Sequence, residues 1–359
     1  EGRERVSRAD RPLLVGGGSG GTREPAPAIG DWAERIGLPV SLSFRRKDIL
    51  SNDRPNYAGD LGLGCNPKLT ARAKAADLII AVGARLGENP TQGYTLLDRA
   101  RTPETLTPTH PGAEDRGRVC APLLSATADN SLAAFALSTI DPGREWKAEA
   151  EAAHADYQAF STPVPVGGDV NMSECMAHLG EILPPDAIVT NGAGNFAAWL
   201  HRFYRHRACR TQLAPTSGAM GYGYPAALAA KSVHPDTDVI CIAGDGDYLM
   251  TGQEIATAVQ YGINAVVVIV DNGTYGTIRM HQETHYPGAA RVIATDLKNP
   301  DFVKYAEAFG AFGVRCERTQ DFPAALEAAR NAGRPAVVHL ITSAEDIAPT
   351  RTITGLRAK

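Results

Sequence analysis

Five stretches of this chain are apolar almost without interruption: DLIIAVG at 77–83, AIVTN at 187–191, DVICIA at 238–243, NAVVVIV at 264–270 and AVVHLI at 336–341. A strand with one wet face alternates apolar and polar residues, whereas a strand covered on both faces reads as a continuous apolar run. Helical patterns separate these runs, so helices are available to cover both faces of a parallel sheet. That alternation constrains the chain to the α/β class. Its 359 residues suffice for two domains of ordinary size, each burying its own core.

In the first half the pattern predicts strands at 12–15, 39–44 and 77–83, with helices over 24–36 and 67–75. Residues 45–66 and 84–95 read as long, polar, Gly-rich loops, and 100–128 carry no clear pattern. A charged Ala/Glu helix (EWKAEAEAAHADYQAF) then runs into STPVPVGG, whose Pro and Gly residues mark a boundary. The second half predicts strands at 187–191, 210–213, 238–243, 264–270, 312–316 and 336–341. Helices are expected over 171–182, 194–202, 222–231, 251–261, 300–309 and 321–331. The expected organisation is a domain at 1–140, a linker at 141–170, a second domain at 171–345 and a tail at 346–359.

Composition narrows the function classes. Apolar residues make up 43% and charged residues 21%, the balance of a soluble globular protein, and the net charge of −4 argues against nucleic-acid or anionic-membrane partners. No apolar stretch approaches the ~20 residues that span a bilayer, and EGRERVSRAD has no apolar signal core. The six cysteines lie far apart with no C-x-x-C pair, so a zinc site or disulfide framework is not expected and a reducing cytoplasm fits. Cys241, inside an apolar run, reads as a core residue. The chain opens with Glu1 rather than Met.

Chemistry concentrates at two strand ends. IAGDGDYLMTGQE at 242–254 and VIVDNGTYG at 268–276 each put carboxylate or amide side chains and glycines where an apolar strand stops. Asn272 follows Asp245 by 27 residues, one strand–helix–strand crossover, which places both on the ligand-binding edge of a parallel sheet. One carboxylate and one amide oxygen do not cage a metal alone, but Mg²⁺ is commonly held by one or two carboxylates plus the phosphates of a ligand. Helix starts expected near Thr251 and Tyr275, with Gly246, Gly273 and Gly276, offer N–H groups to those phosphates. The residues themselves therefore point to a Mg²⁺-bridged diphosphate site.

These residues carry a resemblance. GDGDYLMTGQEIATAVQYGINAVVVIVDN is similar to the G-D-G…N motif of thiamine-diphosphate-dependent enzymes, and GTYGTIRMHQE resembles their acetolactate synthase branch. PTSGAMGYGYPAALAAK at 215–231 and TNGAGNFAAW at 190–199 resemble the family's cofactor-contacting segments. LLVGGGSGG, NYAGDLGLGCNP and ADLIIAVGARLGENPTQGY resemble its central domain. The resemblance implies a Rossmann-like central domain followed by a thiamine-diphosphate-binding domain, both α/β with parallel sheets. It implies Asp245, Asn272 and the backbone oxygen of Thr274 as metal ligands. It implies Gly194, Asn195, Phe196, Gly244, Gly246, Asp247, Tyr275 and Gly276 around the diphosphate, Met220 as the prop under the two rings, and the carbonyl of Gly218 as acceptor for the aminopyrimidine. The implied activity is thiamine-diphosphate- and Mg²⁺-dependent decarboxylation or carboligation of a small 2-oxo acid, with benzoylformate-decarboxylase-like and 2-hydroxyacyl-CoA-lyase-like enzymes as alternatives. In this family a glutamate on an N-terminal pyrimidine-binding domain, usually from a partner subunit, activates the cofactor. Neither that domain nor its glutamate is found in these residues, so no catalytic residue is assigned. The resemblance implies a homo-oligomer or a partner chain carrying that domain; a non-catalytic cofactor-binding remnant is the other alternative.

Plainer readings stand beside these. Asp and Asn commonly begin turns and helices, and Asp247 is read as an N-terminal helix cap, because a second negative charge beside phosphate is unfavourable. GGGSGG at 16–21 fits a dinucleotide loop, but Arg45 and Arg46 stand where a ribose-binding acid belongs, which disfavours NAD. A structural FAD with Arg85 as contact stays open by resemblance to acetolactate synthases. HQETH at 281–285 lacks the zincin glutamate and reads as a solvated helix surface. His281 stands where acetolactate synthases usually carry a substrate-selecting tryptophan.

Overall fold

A computed structural model describes residues 1–18, 25–98, 100, 105–115, 117–122, 124–286 and 292–358. The chain forms two compact units, Glu1–Ser161 with Arg205–Arg210, and Thr162–Tyr204 with Thr211–Lys359.

The first unit holds β1 (Pro12–Gly16), β2 (Val40–Leu42), β3 (Tyr57–Asp60), β4 (Leu78–Val82), β5 (Leu106–His110) and β6 (Ala126–Thr127). They form one parallel sheet in the order β3-β2-β1-β4-β5-β6, the doubly wound Rossmann order. Three of these strands, β3, β5 and the two-residue β6, fall where loops or no pattern were expected. β3 is only YAGD, and β5, LTPTH, buries one residue and contains a proline, so neither carries an apolar run. The expected linker 141–170 also differs. Its helix Lys147–Ser161 buries Ala150, Ala153 and Tyr157, spaced along one face, and belongs to the first unit. Tyr57 and Tyr157 meet edge to face at 4.7 Å, fixing that helix over β3.

The second unit holds β7 (Ile188–Asn191), β8 (Gln212–Leu213), β9 (Val239–Gly244), β10 (Val266–Asp271), β11 (Phe312–Cys316) and β12 (Ala336–Ile341). All pair in parallel, in the order β11-β12-β10-β9-β7-β8. Alternate residues of β9 and β10 feed two cores. Ile240, Ile242, Val266, Val268 and Val270 pack on one face, with Met176, Leu200 and Leu326 from the covering helices. Val239, Cys241, Ala243, Val267 and Ile269 pack on the other, with Ala227, Ile255 and Phe302. Each fully buried Val or Ile contributes about 1.5–3 kcal/mol, so both faces hold these strands in register. The chain leaves β7 toward β8 on one side and returns to β9 on the other, which opens a crevice at the carboxyl ends of β7 and β9.

The expected tail, 346–359, is packed. Ile347, Ile353 and Leu356 form a small core with Met280, and Arg357 donates twice to Glu283, at 2.9 and 2.7 Å. Among the described residues no helix is long and apolar enough to cross a membrane.

Candidate functional site

β9 ends at Gly244, and the helix Asp245–Tyr248 begins at once, earlier than the expected start near Thr251. β10 ends at Asp271, and its neighbour in the sheet is β9, so Asp245 and the Asn272–Thr274 loop emerge side by side. The two loop tips touch: the Gly273 N–H donates to Asp245 Oδ2 at 2.9 Å. Asn272 closes its own turn by accepting from the Thr274 N–H at 3.2 Å. Gly273 sits in the turn with φ +65°, which favours glycine.

Asp245 is buried, and burial pushes its carboxyl up to about 6. Its Oδ1 accepts from the Gly246 N–H, while Oδ2 accepts from Gly273 and from Asn299 Nδ2 at 2.8 Å. A carboxylate offers about four acceptor positions; three are filled, leaving room on Oδ1 for one further ligand. Asp271 is held below the usual carboxylate range by hydrogen bonds from His339 and Asn299, which outweigh its burial.

These loops line a cavity of about 240 Å³. The thirteen cofactor and metal residues implied by the resemblance, from Gly194 to Gly276, lie on its wall, together with Trp199, Thr277, Asp346 and Ile347. Gly273, also expected to offer its N–H to phosphate, donates it instead to Asp245 and Asp271. The helices Phe196–Phe203 and Gly276–His285 both start there without a side-chain cap and turn their positive dipole ends to the cavity. In the first, the Ala197 and Ala198 N–H groups already donate to the Gly194 and Asn195 carbonyls at 3.1 and 3.0 Å, so the first turn of Gly276–His285 is the better anion donor. Glycine is required at several points. A Cβ on Gly194 or Gly244 would fall 2.7 or 2.8 Å from the Phe196 ring, and one on Gly246 would fall 2.5 Å from Tyr275.

Two residues act differently from the expectation. Asp247 does not cap a helix. Its Oδ1 reaches across to accept from the Gly221 N–H at 2.8 Å and the Ala193 N–H at 3.2 Å, stitching the β7 loop to the segment before the helix Gly223–Val233. The Asn195 side chain is a strut: Nδ2 donates to the Ile347 carbonyl, and Oδ1 accepts from Thr277 Oγ1, each at 2.9 Å. Met220 is half-buried on the cavity wall, and Gly218 stands at a turn with φ +77°.

Outside the cavity, His281 and His285 are exposed on their helix, with rings stacked 5.8 Å apart. Arg85, the candidate flavin contact, donates to Asp115 at 2.7 Å. Residues 19–21 of the GGGSGG motif lie outside the described residues, whereas Gly17 and Gly18 pack directly against Ala84 and Gly83. Asp271, Asn299 and His339 carry no role expected from sequence, although Asp271 is the carboxylate that ends the VIVDNGTYG strand and His339 is a titratable side chain inside the apolar run AVVHLI, which demands a buried partner.

The donors available to a metal are a carboxylate, an amide oxygen and a backbone carbonyl, a hard-oxygen set suited to Mg²⁺ but too few without ligand phosphates. Among the described residues no cluster of three His, Cys, Asp or Glu side chains forms an alternative metal centre.

Comparison with known proteins agrees with this architecture. A thiamine pyrophosphate enzyme central-domain profile matches residues 3–110, and a thiamine pyrophosphate enzyme C-terminal TPP-binding-domain profile matches residues 192–340. An acetolactate synthase of Mycobacterium avium is 29% identical over 362 residues, covering 95% of this chain and 56% of the relative. The acetolactate synthase isozyme 2 large subunit of Escherichia coli K12 is 26% identical over 353 residues, covering 97% of this chain and 63% of the relative. A 3D-(3,5/4)-trihydroxycyclohexane-1,2-dione hydrolase of Bacillus velezensis is 27% identical over 366 residues, covering 91% of this chain and 56% of the relative. The chain thus spans little more than half the length of the M. avium and B. velezensis relatives. With both profiles matched, each on one of the two parallel-sheet units, the chain belongs to the thiamine pyrophosphate enzyme family.

Proposed function

We propose that the cavity takes thiamine diphosphate, with its diphosphate on a Mg²⁺ ion bound by Asp245, Asn272 and the Thr274 carbonyl, in service of acetolactate-synthase-like decarboxylation or carboligation of a 2-oxo acid. The observation that carries this reading is the contact of the two loop tips through Gly273 and Asp245, beside two uncapped helix starts on one cavity wall. A buried carboxylate with one free acceptor position gains from a cation more than an exposed one does, because water screens it less. When bound, thiamine diphosphate supplies the carbon nucleophile for the keto group. The chain's own residues would orient and shield it: the helix starts would receive phosphate, Met220 and Gly218 would line the space for the rings, and Phe196 and Trp199 would exclude water.

The activating acid is proposed to come from a pyrimidine-binding domain outside these 359 residues, on a second subunit or a partner. The six free thiols suit a reducing compartment such as the cytoplasm.

The test has two stages. Calorimetry measures thiamine diphosphate binding with and without Mg²⁺. Turnover of pyruvate, benzoylformate and a cyclic 1,2-dione is then followed for the chain alone and after adding a relative's pyrimidine-binding domain. Metal-dependent binding and a rise in rate of about 10²–10⁴-fold on addition are expected, the usual worth of general acid–base help. Binding without any rise points to a non-catalytic cofactor-binding role, and absence of binding overturns the reading.

A further inference from the structure

Behind the candidate metal loop Asp245 joins a polar cluster whose other side chains, Asp271, Asn299 and His339, have no role in the proposal above. Asp245 and Asp271 end neighbouring strands, and one side chain joins them: Asn299 Nδ2 donates to Asp245 Oδ2 at 2.8 Å and to Asp271 Oδ1 at 2.7 Å. The Gly273 N–H bridges the same two carboxylates, at 2.9 and 3.0 Å. His339 Nε2 lies 2.8 Å from the other Asp271 oxygen and anchors that carboxylate from the sheet interior. Asp245 has no histidine behind it and is held by the backbone, by Asn299 and by its contact with the Asp271 carboxyl group.

The amide orientation is fixed by charge. An amide carries two N–H donors on one nitrogen, one for each carboxylate; turned over, its oxygen would face both. Asn299 Oδ1 is buried and has no hydrogen-bond partner among the described residues, so its acceptor is given up to keep both donors on the carboxylates.

The segment that delivers Asn299 also holds the metal loop. Thr274 and Asp296 form an antiparallel bridge. The Tyr275 N–H donates to the Thr295 carbonyl and the Leu297 N–H to the Gly273 carbonyl, both at 2.8 Å, and Thr274 Oγ1 donates to the Thr295 carbonyl at 2.9 Å. A single strip, 295–299, therefore fixes the loop bearing Asn272 and Thr274 and the carboxylate of Asp245.

We propose that Asn299 is the positioning residue of this site: it spaces two like-charged carboxylates and aims the Asp245 carboxylate at the cation. The proposal rests on the metal-site reading above. Removal of such an outer partner typically costs 10–100-fold in metal affinity.

The test uses the full chain and Asn299→Leu, which keeps the volume and removes both donors. Asn299→Ser, which cannot reach both carboxylates, is carried alongside in case the first fails to fold. Mn²⁺ binding is measured by electron paramagnetic resonance, with the metal alone and with thiamine diphosphate; cofactor affinity is measured separately at saturating metal. The expected result is metal half-saturation raised about 10–100-fold, with cofactor affinity at saturating metal changed less than about 3-fold and the circular dichroism spectrum unchanged. A purely structural role would lower the fraction of competent sites without that split. Unchanged metal affinity in a folded variant overturns the role of Asn299 and leaves the metal site standing. Failure of the unaltered chain to bind metal, with or without cofactor, overturns both.

Discussion

Replacing Gly192 by alanine probes how the cofactor loops are held together. A Cβ at this position would fall 2.0 and 2.1 Å from the two Asp247 carboxylate oxygens, inside any allowed contact. The carboxylate must move away, and the N–H groups of Gly221 and Ala193 lose the acceptor they share at 2.8 and 3.2 Å. A buried donor left without a partner costs about 1–3 kcal/mol. Gly221 is buried and Ala193 half-buried, so the loss for Gly192→Ala is set at about 2–4 kcal/mol. The mechanism is separable from general intolerance by a double-mutant cycle with Asp247→Ala. That change already removes the acceptor and clears the space, so adding Gly192→Ala should cost less than about 1 kcal/mol, a coupling of about 2–3 kcal/mol. Urea unfolding followed by circular dichroism, with the two units' transitions fitted separately, measures all four proteins. Equal cost of Gly192→Ala in both backgrounds would refute the reasoning.

Two further outcomes are expected. Burial raises the Asp245 carboxyl from 3.8 to about 6, so the cofactor-free folded chain binds this proton more tightly than the unfolded chain. Stability from this group is therefore gained as pH falls from about 6 toward 4, whereas its partner Asp271, held below the usual range, loses stability as pH falls further, so the gain is read as the difference from Asp245→Asn. Asp245→Asn should lack that gain, and unfolding curves that stay parallel between pH 4 and 7 would contradict it. Asn195→Ala removes the strut to the Ile347 carbonyl and Thr277, a loss of about 1–2 kcal/mol. Hydrogen exchange should quicken roughly 10-fold over 343–357, and unchanged exchange there would count against the strut.

What the sequence revealed follows from where each signal resides. β9, β10 and β12 are covered on both faces, so their burial is written as apolar runs, and the placement of Asp245 and Asn272 at adjacent strand ends follows from the crossover between them. β3 and β5 are short, and β5 is half-buried; their pairing is decided by neighbours rather than by their own pattern. The departure of Asp247 from the expected cap has a similar cause. A cap is a local device, whereas the donors it serves lie 26 and 54 residues away, on segments that only the folded sheet brings near. Asn299, 54 residues from Asp245 and 28 from Asp271, sits in a stretch with no apolar period and no motif, and becomes legible only when its strip folds back over the metal loop.

The most direct measurement is a crystal of this chain grown with thiamine diphosphate and Mn²⁺, examined at the manganese absorption edge. The account predicts one anomalous peak in coordination contact with the Asp245 carboxylate, the Asn272 side chain and the Thr274 carbonyl, adjoining the diphosphate. Cofactor density in the cavity with the metal elsewhere, or no cofactor in the cavity at all, would contradict it.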